Sequence, residues 1–404
     1  MDGWMRRLLA TIVAFASFAA PPAVARPAIG HVFVIVLENQ SFDVTFGANS
    51  PAPYLAKTLR DQGVLLTQYF ATGHVSLDNY IAMISGQAAT RETRLDCSTY
   101  QDFVLTGIAP YGQAIGSGCV YPASIKTLAD QLSAAGKTWR GYMEDMGNDP
   151  ARERSTCGHP PLNGPDITQR AEPPSATLPQ GDQYASRHNP FVYFHSILDS
   201  PSCEANVVRL DHLEPDLREV ATTPNFAFIT PNLCHDGHDA PCKNGEPGGL
   251  VSADRFLEKW VPLIRESPAF RQDGLLIVTF DESSLKASKD AAGVTVITAS
   301  GESCCDQQPG PNIGDFPQDA MLGRYKLSFP KFGGDRIGAV LLSPFLKPGT
   351  LSNTPFNHYA LLKTVEDIFG LDHLGYAGQP GLTGFFDCTA PEAAAGPPTL
   401  CVRD

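Results

Sequence analysis

Four short apolar runs stand out along the chain, at Val32–Leu37, Phe226–Thr230, Leu275–Phe280 and Ile337–Leu342. Each run is apolar at consecutive positions, which is typical of strands buried on both faces in a parallel sheet covered by helices. Helical candidates lie between these runs, at Ile125–Ala135, Ala253–Glu266 and Tyr359–Phe369. The alternation predicts an α/β fold, a three-layer α/β/α sandwich with a largely parallel central sheet.

The first residues have a different pattern. Arg6 and Arg7 precede an apolar run from Leu8 to Ala20, and Ala23-Val24-Ala25 has the form of a small-x-small cleavage site. We therefore predict that residues 1–25 are a signal peptide and that the protein is secreted or periplasmic. The apolar run is too short to span a bilayer comfortably, so we expect no integral membrane segment after cleavage.

We predict that residues 26–404 form a single domain. Two stretches interrupt the strand and helix pattern, at 149–184, which is rich in Pro, Arg and polar residues, and at 283–334, which is rich in Gly and Pro. Both are interpreted as loop insertions over the edge of the sheet rather than as separate domains.

Charge and cysteine content narrow the function further. The net charge of −13, with no basic run, argues against binding nucleic acid through its phosphates. The ten cysteines of an exported chain favour structural disulfides. The pairs nearest in sequence are Cys97–Cys119, Cys157–Cys203, Cys234–Cys242 and Cys388–Cys401. Since Cys304 and Cys305 are adjacent, we expect each of them to bond elsewhere.

Polar side chains follow each of the apolar runs. They are Glu38-Asn39, the Asp236 and His238 loop, Asp281-Glu282, and Asn357-His358. Each segment alone has a simpler interpretation, as a turn, a helix cap or a solvated loop. Ligands of open α/β sheets bind outside the carboxyl ends of the strands, however, so four such segments together predict one site.

The residue types of this predicted site indicate a metal. Several carboxylates, including Glu38, Asp236 and Asp281, would lie within a few ångströms of one another. Each like-charge pair at ~4 Å would cost ~4 kcal/mol at an effective dielectric near ~20. One or two divalent cations would compensate, since Asp, Glu, Asn and His are common metal ligands.

A nucleophile candidate precedes another helical stretch. Ser76 lies in the segment Thr72–Tyr80, which precedes Ile81–Ile84. This apolar stretch is interpreted as the first turns of a helix, and the start of a helix offers free N–H groups to an anion. The alternative is that Ser76 only caps this helix, with Asn79 at its third position.

Several of these segments resemble a known family. Glu38–Asp43 (ENQSFD) resembles the E-N-[HR]-S-F-D signature of the bacterial phosphoesterase family, which includes acid phosphatases and phosphatidylcholine-type phospholipases C. His74–Tyr80 looks like its H-P-S-L-P-N-Y element, Thr279–Glu282 like its strand ending in D-E, and Asn357–Gly370 like its S-H-Y-S-L-L-R-T-I-E-D-x-F-G helix. The similarity covers most of the chain after residue 25.

The resemblance implies an alkaline-phosphatase-like fold and a set of site residues. Ser76 would be the nucleophile and Asn79 would bind a phosphoryl oxygen, with His188 and His238 completing the catalytic pocket. The implied metal-site residues are Glu38, Asn39, Asp236, Asp281, Glu282 and His358. The sequence also departs from the family pattern at Gln40, Val75, Asp78 and Ser283-Ser284. Asp78 places a carboxylate near the nucleophile position and could change the preferred charge of the substrate.

The implied function is hydrolysis of phosphate esters, with an acid-phosphatase-like phosphomonoesterase favoured. The substrate would be a phosphorylated small molecule or a phospholipid headgroup. One alternative is a phospholipase C-type phosphodiesterase. Another is a metal-independent acyl-ester hydrolase using Ser76, Asp281 and His358 in the chain order of α/β-hydrolases, although G-x-S-x-G is absent. A sulfatase would need C-x-P-x-R, which is also absent. A non-catalytic binding protein is the last alternative.

Overall fold

The computed structural model describes residues 29–386 apart from residue 323. The predicted signal peptide, and the predicted pair Cys388–Cys401, lie outside the described residues. Among the helices of residues 29–386, none has both the length and the apolar character needed to cross a bilayer.

An eight-stranded sheet forms the centre of the structure. Its strands are β1 (His31–Leu37), β2 (Val64–Leu66), β3 (Trp139–Met143), β4 (Val207–Arg209), β5 (Phe226–Thr230), β6 (Gly274–Phe280), β7 (Ala339–Leu342) and β8 (Thr350–Ser352), in the order β8-β2-β7-β6-β1-β5-β3-β4. Every residue of β1, β5 and β6 is buried, so both faces of the sheet are covered. The predicted α/β class with a largely parallel sheet is therefore confirmed.

The fourth apolar run differs from the prediction. It becomes β7, which starts at Ala339 and runs antiparallel to both of its neighbours, β6 and β2. Its carboxyl end therefore points away from the edge at which the other strands end, which we call the carboxyl edge. An apolar run carries no information on strand direction, which is why the sequence could not show this. The chain returns to the carboxyl edge through β8, which is parallel to β2.

Within residues 29–386, four helices are longer than six residues: α1 (Ser76–Ser85), α2 (Leu128–Ala134), α3 (Gly249–Glu266) and α4 (His358–Phe369). Shorter helices occupy Phe42–Thr45, Tyr54–Leu59, Arg60–Gln62, His195–Leu198, Pro201–Asn206, Leu213–Asp216 and Pro268–Asp273. Helices α1, α2 and α4 pack together, whereas α3 packs with Tyr54–Leu59 and Pro268–Asp273. These two groups form the outer layers of the sandwich.

Two very short strands extend the structure beyond β2 and β8. Tyr69–Phe70 and Phe356–Asn357 pair in parallel, and the chain enters α1 shortly after the first and α4 directly after the second. This pairing brings the amino ends of both helices to the carboxyl edge.

Residues 283–334 contain more regular structure than the loop insertion that was predicted. Four strands, at Lys286–Lys289, Thr295–Thr298, Gln318–Leu322 and Tyr325–Phe329, form a separate sheet, which we call the inserted sheet. Residues 149–184 contain only the short strand Gly164–Pro165, which pairs with Thr99–Tyr100. A further hairpin joins Val104–Ala109 to Gln113–Ser117. That residues 26–404 form a single domain stays a prediction.

The disulfides follow the predicted pairs at three positions, Cys97–Cys119, Cys157–Cys203 and Cys234–Cys242. The expectation for the adjacent cysteines was wrong, because Cys304 and Cys305 bond to each other. The other six cysteines of the described chain are already paired, so neither of these two has another partner there.

Candidate active site

Glu38 lies at the centre of the carboxyl edge, directly after β1. Its side chain is fully buried and accepts hydrogen bonds from the Ser76 hydroxyl (2.8 Å, to Oε2) and from the Tyr80 hydroxyl (2.7 Å, to Oε1). Ser76 and Tyr80 are four residues apart on α1, so both face the same way. The serine hydroxyl is therefore oriented by a carboxylate.

Ser76 is the first residue of α1 and does not cap it. The residue at the N-cap position is Val75, which makes no side-chain cap. The cap-only alternative for Ser76 is thus wrong in this structure. Val75 has φ 86° and ψ 133°, a conformation that is strained for a β-branched residue by ~1–3 kcal/mol. This conformation of Val75 turns the chain sharply just before Ser76.

Two side chains hold this turn. Glu282 Oε1 accepts the Val75 N–H at 3.0 Å, and Glu282 Oε2 is hydrogen-bonded to Nδ1 of His74. Asn79 Nδ2 donates to the carbonyls of Gly73 (3.0 Å) and Val75 (3.3 Å). Both oxygens of the predicted metal ligand Glu282 therefore have protein partners in the turn.

Asn79 differs from its predicted role. Besides the two bonds that it donates, its Oδ1 accepts from the N–H groups of Thr72 and Gly73 and from the Thr72 hydroxyl, each at 3.0 Å. The side chain is fully buried, and both hydrogens of its amide are used within the protein. It therefore has no hydrogen to donate to a phosphoryl oxygen and instead positions the turn.

A second cluster adjoins Glu38. His188 Nε2 lies 3.3 Å from Glu38 Oε1, and His188 Nδ1 lies 3.8 Å from Asp236 Oδ2. The His188 ring stacks on Tyr80 with centroids 5.3 Å apart. Neither ring nitrogen has a hydrogen-bond partner among the described residues. Burial and the neighbouring Arg187 charge lower the pKa of His188, so the ring is neutral, as a metal ligand must be.

The carboxylates of the site oppose one another electrostatically. Burial, reinforced by the charges of Asp281 and Asp236, raises the pKa of Glu38 well above its usual range. Burial also raises the pKa of Asp236 to about 8, and burial with the Glu282 charge raises the pKa of Asp281. Three buried acids are thus held where ionisation is unfavourable in the absence of a compensating cation.

Several buried acceptors at this edge have no partner within the described chain. They are Oδ1 of Asn39, Oδ2 of Asp236 and Oδ2 of Asp281. The backbone around them is fixed, since Asp281 Oδ1 accepts the N–H groups of Asn39 (3.1 Å) and Glu282 (2.6 Å). Such orphaned oxygens require an explanation, and a bound cation is one.

His358 is placed next to the site but is fully engaged with protein. Its Nε2 donates to the backbone carbonyl of Asp281 at 2.6 Å, so its Nδ1 accepts from the Tyr69 hydroxyl at 3.1 Å. Burial lowers its pKa to about 4. Neither nitrogen is free to bind a metal, which differs from the prediction. The Ser76, Asp281 and His358 triad of the acyl-hydrolase alternative is not formed either, because the Ser76 hydroxyl donates to Glu38.

His238 lies at the rim of the site. Its side chain is exposed, with Nδ1 3.9 Å from Asp239, while its backbone N–H donates to Asp236 Oδ1 at 2.9 Å. The loop that carries it is closed by the Cys234–Cys242 disulfide. His235 on the same loop contacts Glu144 at 3.0 Å and Glu246 at 3.3 Å.

Three residues at the site were not predicted. Tyr80 donates to Glu38, and the buried Arg187 lies 3.6 Å from Asp96 and acts electrostatically on Glu38 and Asp236. His74 is bonded to Glu282 and, through Nε2 at 3.3 Å, to Asp335. Although burial opposes its charge, these two partners raise the pKa of His74 to about 10. Sequence signals were available, since His74 and Tyr80 are the ends of the segment that resembles the H-P-S-L-P-N-Y element and Arg187 is adjacent to His188.

Taken together, the site is a buried serine held by a carboxylate on an α/β sandwich, beside a cluster of metal-ligand types. The chain belongs to the Phosphoesterase family, whose family model matches residues 48–372. The matched range includes His74–Tyr80, Thr279–Glu282 and all of Asn357–Gly370, so the resemblance inferred from these segments is confirmed; Glu38–Asp43 lies just before it.

Curated relatives extend the comparison. A probable acid phosphatase from Kluyveromyces lactis is 24% identical over 85% of this chain and 59% of its own length. A phosphate-repressible acid phosphatase from Penicillium chrysogenum is 26% identical over 61% of this chain and 47% of its own. This chain thus spans about half of these two relatives. A phosphatidylinositol-3-phosphatase from Mycobacterium tuberculosis is 23% identical over 92% of this chain and 87% of its own.

Among solved structures, a protein in the alkaline phosphatase superfamily from Vibrio parahaemolyticus aligns with 90% of this chain and 71% of its own. Its TM-score is 0.46 and its sequence identity 12%.

Proposed function

We propose that this protein is an exported, metal-dependent phosphoesterase that hydrolyses phosphate monoesters, with Ser76 as the nucleophile. The observation that carries the proposal is the 2.8 Å hydrogen bond from the Ser76 hydroxyl to the buried Glu38, at the strained start of α1. Export is supported by the disulfides, which persist in oxidising compartments.

The site residues fit a divalent cation. Glu38, His188 and Asp236 are all buried, and one ligand atom from each lies within 4.8 Å of the others. The orphaned oxygens of Asn39 and Asp281 supply further donors of the kind that divalent cations accept. A cation held there would lower the pKa of the serine hydroxyl and offset the charge of the transferring phosphoryl group.

The protein's own residues account for the remaining steps. Glu38 Oε2, as hydrogen-bond acceptor, is positioned to take the Ser76 proton while Oγ bonds to phosphorus and the bond from phosphorus to the leaving-group oxygen breaks. The departing oxygen takes up a proton from solvent and leaves as an alcohol. Water then attacks the phosphoserine, phosphate departs, and Ser76 Oγ recovers its proton from Glu38. The buried guanidinium of Arg187 provides a fixed positive charge near Glu38 and Asp236. Glu282 and Asn79 act as positioning residues, since they hold the turn that presents Ser76.

The choice of a monoester rests on the relatives. Those described above carry the names acid phosphatase and phosphatidylinositol-3-phosphatase. The proposed substrate is therefore a phosphorylated small molecule or the phosphorylated headgroup of a phospholipid. A phospholipase C-type diesterase is the second candidate, and a hydrolysis panel separates the two.

The test compares phosphate release from 4-nitrophenyl phosphate with hydrolysis of bis(4-nitrophenyl) phosphate, before and after chelation and with metals added back. We expect the monoester to be cleaved faster, activity to be lost on chelation, and Asp281→Asn to lower both bound metal and turnover. Asp254→Asn is the matched control, because Asp254 is a buried carboxylate that accepts the N–H groups of Tyr54 and Leu55 on another layer. Full activity of a metal-free preparation would contradict the proposal.

A further inference from the structure

A cavity of about 440 Å³ lies between the main fold and the inserted sheet, and we call it the insertion cavity. Its volume is in the range of small-molecule sites. Ser41 and Phe42 line one side, directly after the segment that carries Glu38 and Asn39. Lys286 and Thr298 line the other side, where they stand opposite each other on two neighbouring strands of the inserted sheet.

The insertion cavity adjoins the candidate active site at three points. Ser41 is two residues beyond Asn39, and Ser283, also in the lining, is the residue after Glu282. Asp335, a third lining residue, lies 3.3 Å from Nε2 of His74, two residues before Ser76. A leaving group that extends outward from a phosphoryl group at Ser76 would therefore meet this cavity.

The lining mixes hydrogen-bond donors with acceptors. Lys286 only donates, the carboxylate of Glu302 only accepts, and the hydroxyls of Ser283, Ser284 and Thr298 do both. An anion accepts hydrogen bonds without donating, so it would be matched by donors alone. An acyl chain would need a lining that is largely apolar. A hydroxyl group both donates and accepts, and it is the ligand group that matches a mixed lining.

Charge within the cavity supports the same ligand. Lys286 and Arg336 are opposed by Asp43, Glu302 and Asp335, so the lining has no excess of positive charge for a second phosphate. Arg336 is already paired with Asp43 at 2.8 Å and covers the Phe42 ring at 4.4 Å from its centroid. The other cation of the lining is Lys286, which forms no ion pair with a carboxylate among the described residues.

We propose that the insertion cavity binds the leaving group of the substrate, and that this leaving group is polyhydroxylated, as in a sugar or a cyclitol. The proposal rests on the phosphoesterase function proposed above. It assigns to the inserted sheet, through Lys286 and Thr298, the selection of which phosphate ester reaches Ser76. A polyol that is free in solution and one that is part of a lipid headgroup present the same hydroxyls, and the assay below distinguishes the two sources.

Two variants and two matched controls test the assignment. Lys286→Ala and Thr298→Val each remove one polar group from the cavity. Lys289→Ala and Thr295→Val change the same residue types on the same two strands, and these two residues are also paired directly. Because side chains alternate along a strand, residues 286 and 289 point to opposite faces of the inserted sheet, and neither control residue lines the cavity.

The assay measures kcat/KM for glucose 6-phosphate, for inositol 1-phosphate and for phosphatidylinositol 3-phosphate in phosphatidylcholine vesicles, with 4-nitrophenyl phosphate as the aryl ester. We expect Lys286→Ala to lower kcat/KM for polyol esters about 10- to 100-fold and Thr298→Val about 3- to 10-fold, mainly through KM. Hydrolysis of the aryl ester should change less than about twofold, and the controls should match the wild type. A loss restricted to vesicles would identify a lipid headgroup, and a loss with soluble esters a free polyol phosphate.

Titration calorimetry with glucose and with myo-inositol separates this proposal from the proposed function. If no ester is hydrolysed at all, the function fails, but polyol binding that Lys286→Ala abolishes and Lys289→Ala preserves would still support the cavity. The proposal is overturned if Lys286→Ala and Lys289→Ala behave alike in both experiments, or if aryl and polyol esters lose the same factor.

Discussion

Replacing Asn79 with alanine should destabilise the turn before Ser76 as well as reduce activity. The side chain makes five hydrogen bonds, three accepted by Oδ1 and two donated by Nδ2. Each contributes about 1 kcal/mol, and the backbone groups that lose their partner are buried. We therefore expect the free energy of unfolding to fall by about 3–5 kcal/mol. A shift of the turn by about 1 Å would also lower kcat about 10²-fold or more.

The assay combines urea unfolding with steady-state kinetics on 4-nitrophenyl phosphate. Asn225→Ala is the matched control, because Asn225 also bonds the backbone on both sides, at Thr138 (3.0 Å) and Gly30 (2.9 Å), but at the amino ends of the strands. It should lose about 1–3 kcal/mol of stability while kcat stays near wild type. Asn79→Asp keeps the acceptor but sets a carboxylate against two carbonyls, so it should also be destabilised.

An Asn79→Ala protein with wild-type stability and a large loss of turnover would contradict the positioning role of Asn79. That result would mean that Asn79 acts on the substrate, as the sequence resemblance implied.

In chelator-treated protein, folded Asp236 has a pKa of about 8 and keeps a proton that the unfolded chain releases above pH ~4. Denaturation at about pH 5 and pH 8 should therefore show a lower free energy of unfolding at the higher pH, and added metal should reverse the loss. A free energy of unfolding that rises with pH would contradict this prediction. Tyr80→Phe removes the 2.7 Å bond to Glu38 and should cost about 1 kcal/mol and lower kcat; an unchanged kcat would make Tyr80 structural only. The double variant Cys234→Ser, Cys242→Ser opens a loop whose ends are 8 residues apart, and its free energy of unfolding should fall by about 2.5 kcal/mol. Calorimetry should also show weaker metal binding. Unchanged metal binding would show that the loop does not shape the site.

The central fold was predictable because its strands are buried on both faces. Apolar residues follow one another, without regular alternation with polar ones, in the runs Val32–Leu37, Phe226–Thr230 and Leu275–Phe280. Each run forms a strand whose bounds lie within one residue of those predicted. The direction of β7 was not predictable, since the same apolar residues suit either orientation. The inserted sheet was also missed, because two of its strands, Lys286–Lys289 and Thr295–Thr298, are exposed or only partly buried and are not marked by a long apolar run.

The sequence predicted which residues lie at the site, but it could not predict which protein groups their polar atoms bind. Position after a strand placed Glu38, Asp236 and Asp281 at one edge, as the structure shows. The sequence could not show that the polar atoms of His358 and Asn79 are bound within the protein. For His358 this depends on the pairing of Tyr69–Phe70 with Phe356–Asn357, and for Asn79 it depends on the strained turn at Val75. The Cys304–Cys305 bond was missed for a similar reason, since local backbone geometry decides it.

The role of Ser76 as nucleophile is tested most directly by trapping a covalent intermediate on its side chain. A substrate carrying a ³²P-labelled phosphoryl group is mixed with enzyme and quenched in acid within milliseconds, and the labelled peptide is mapped by mass spectrometry. We predict phosphoserine at Ser76, no label in Ser76→Ala, and normal labelling in Ser85→Ala, a buried serine on the same helix that bonds only to nearby backbone. Turnover by Ser76→Ala at a rate close to wild type, or label on any residue other than Ser76, would contradict the role of Ser76 as nucleophile.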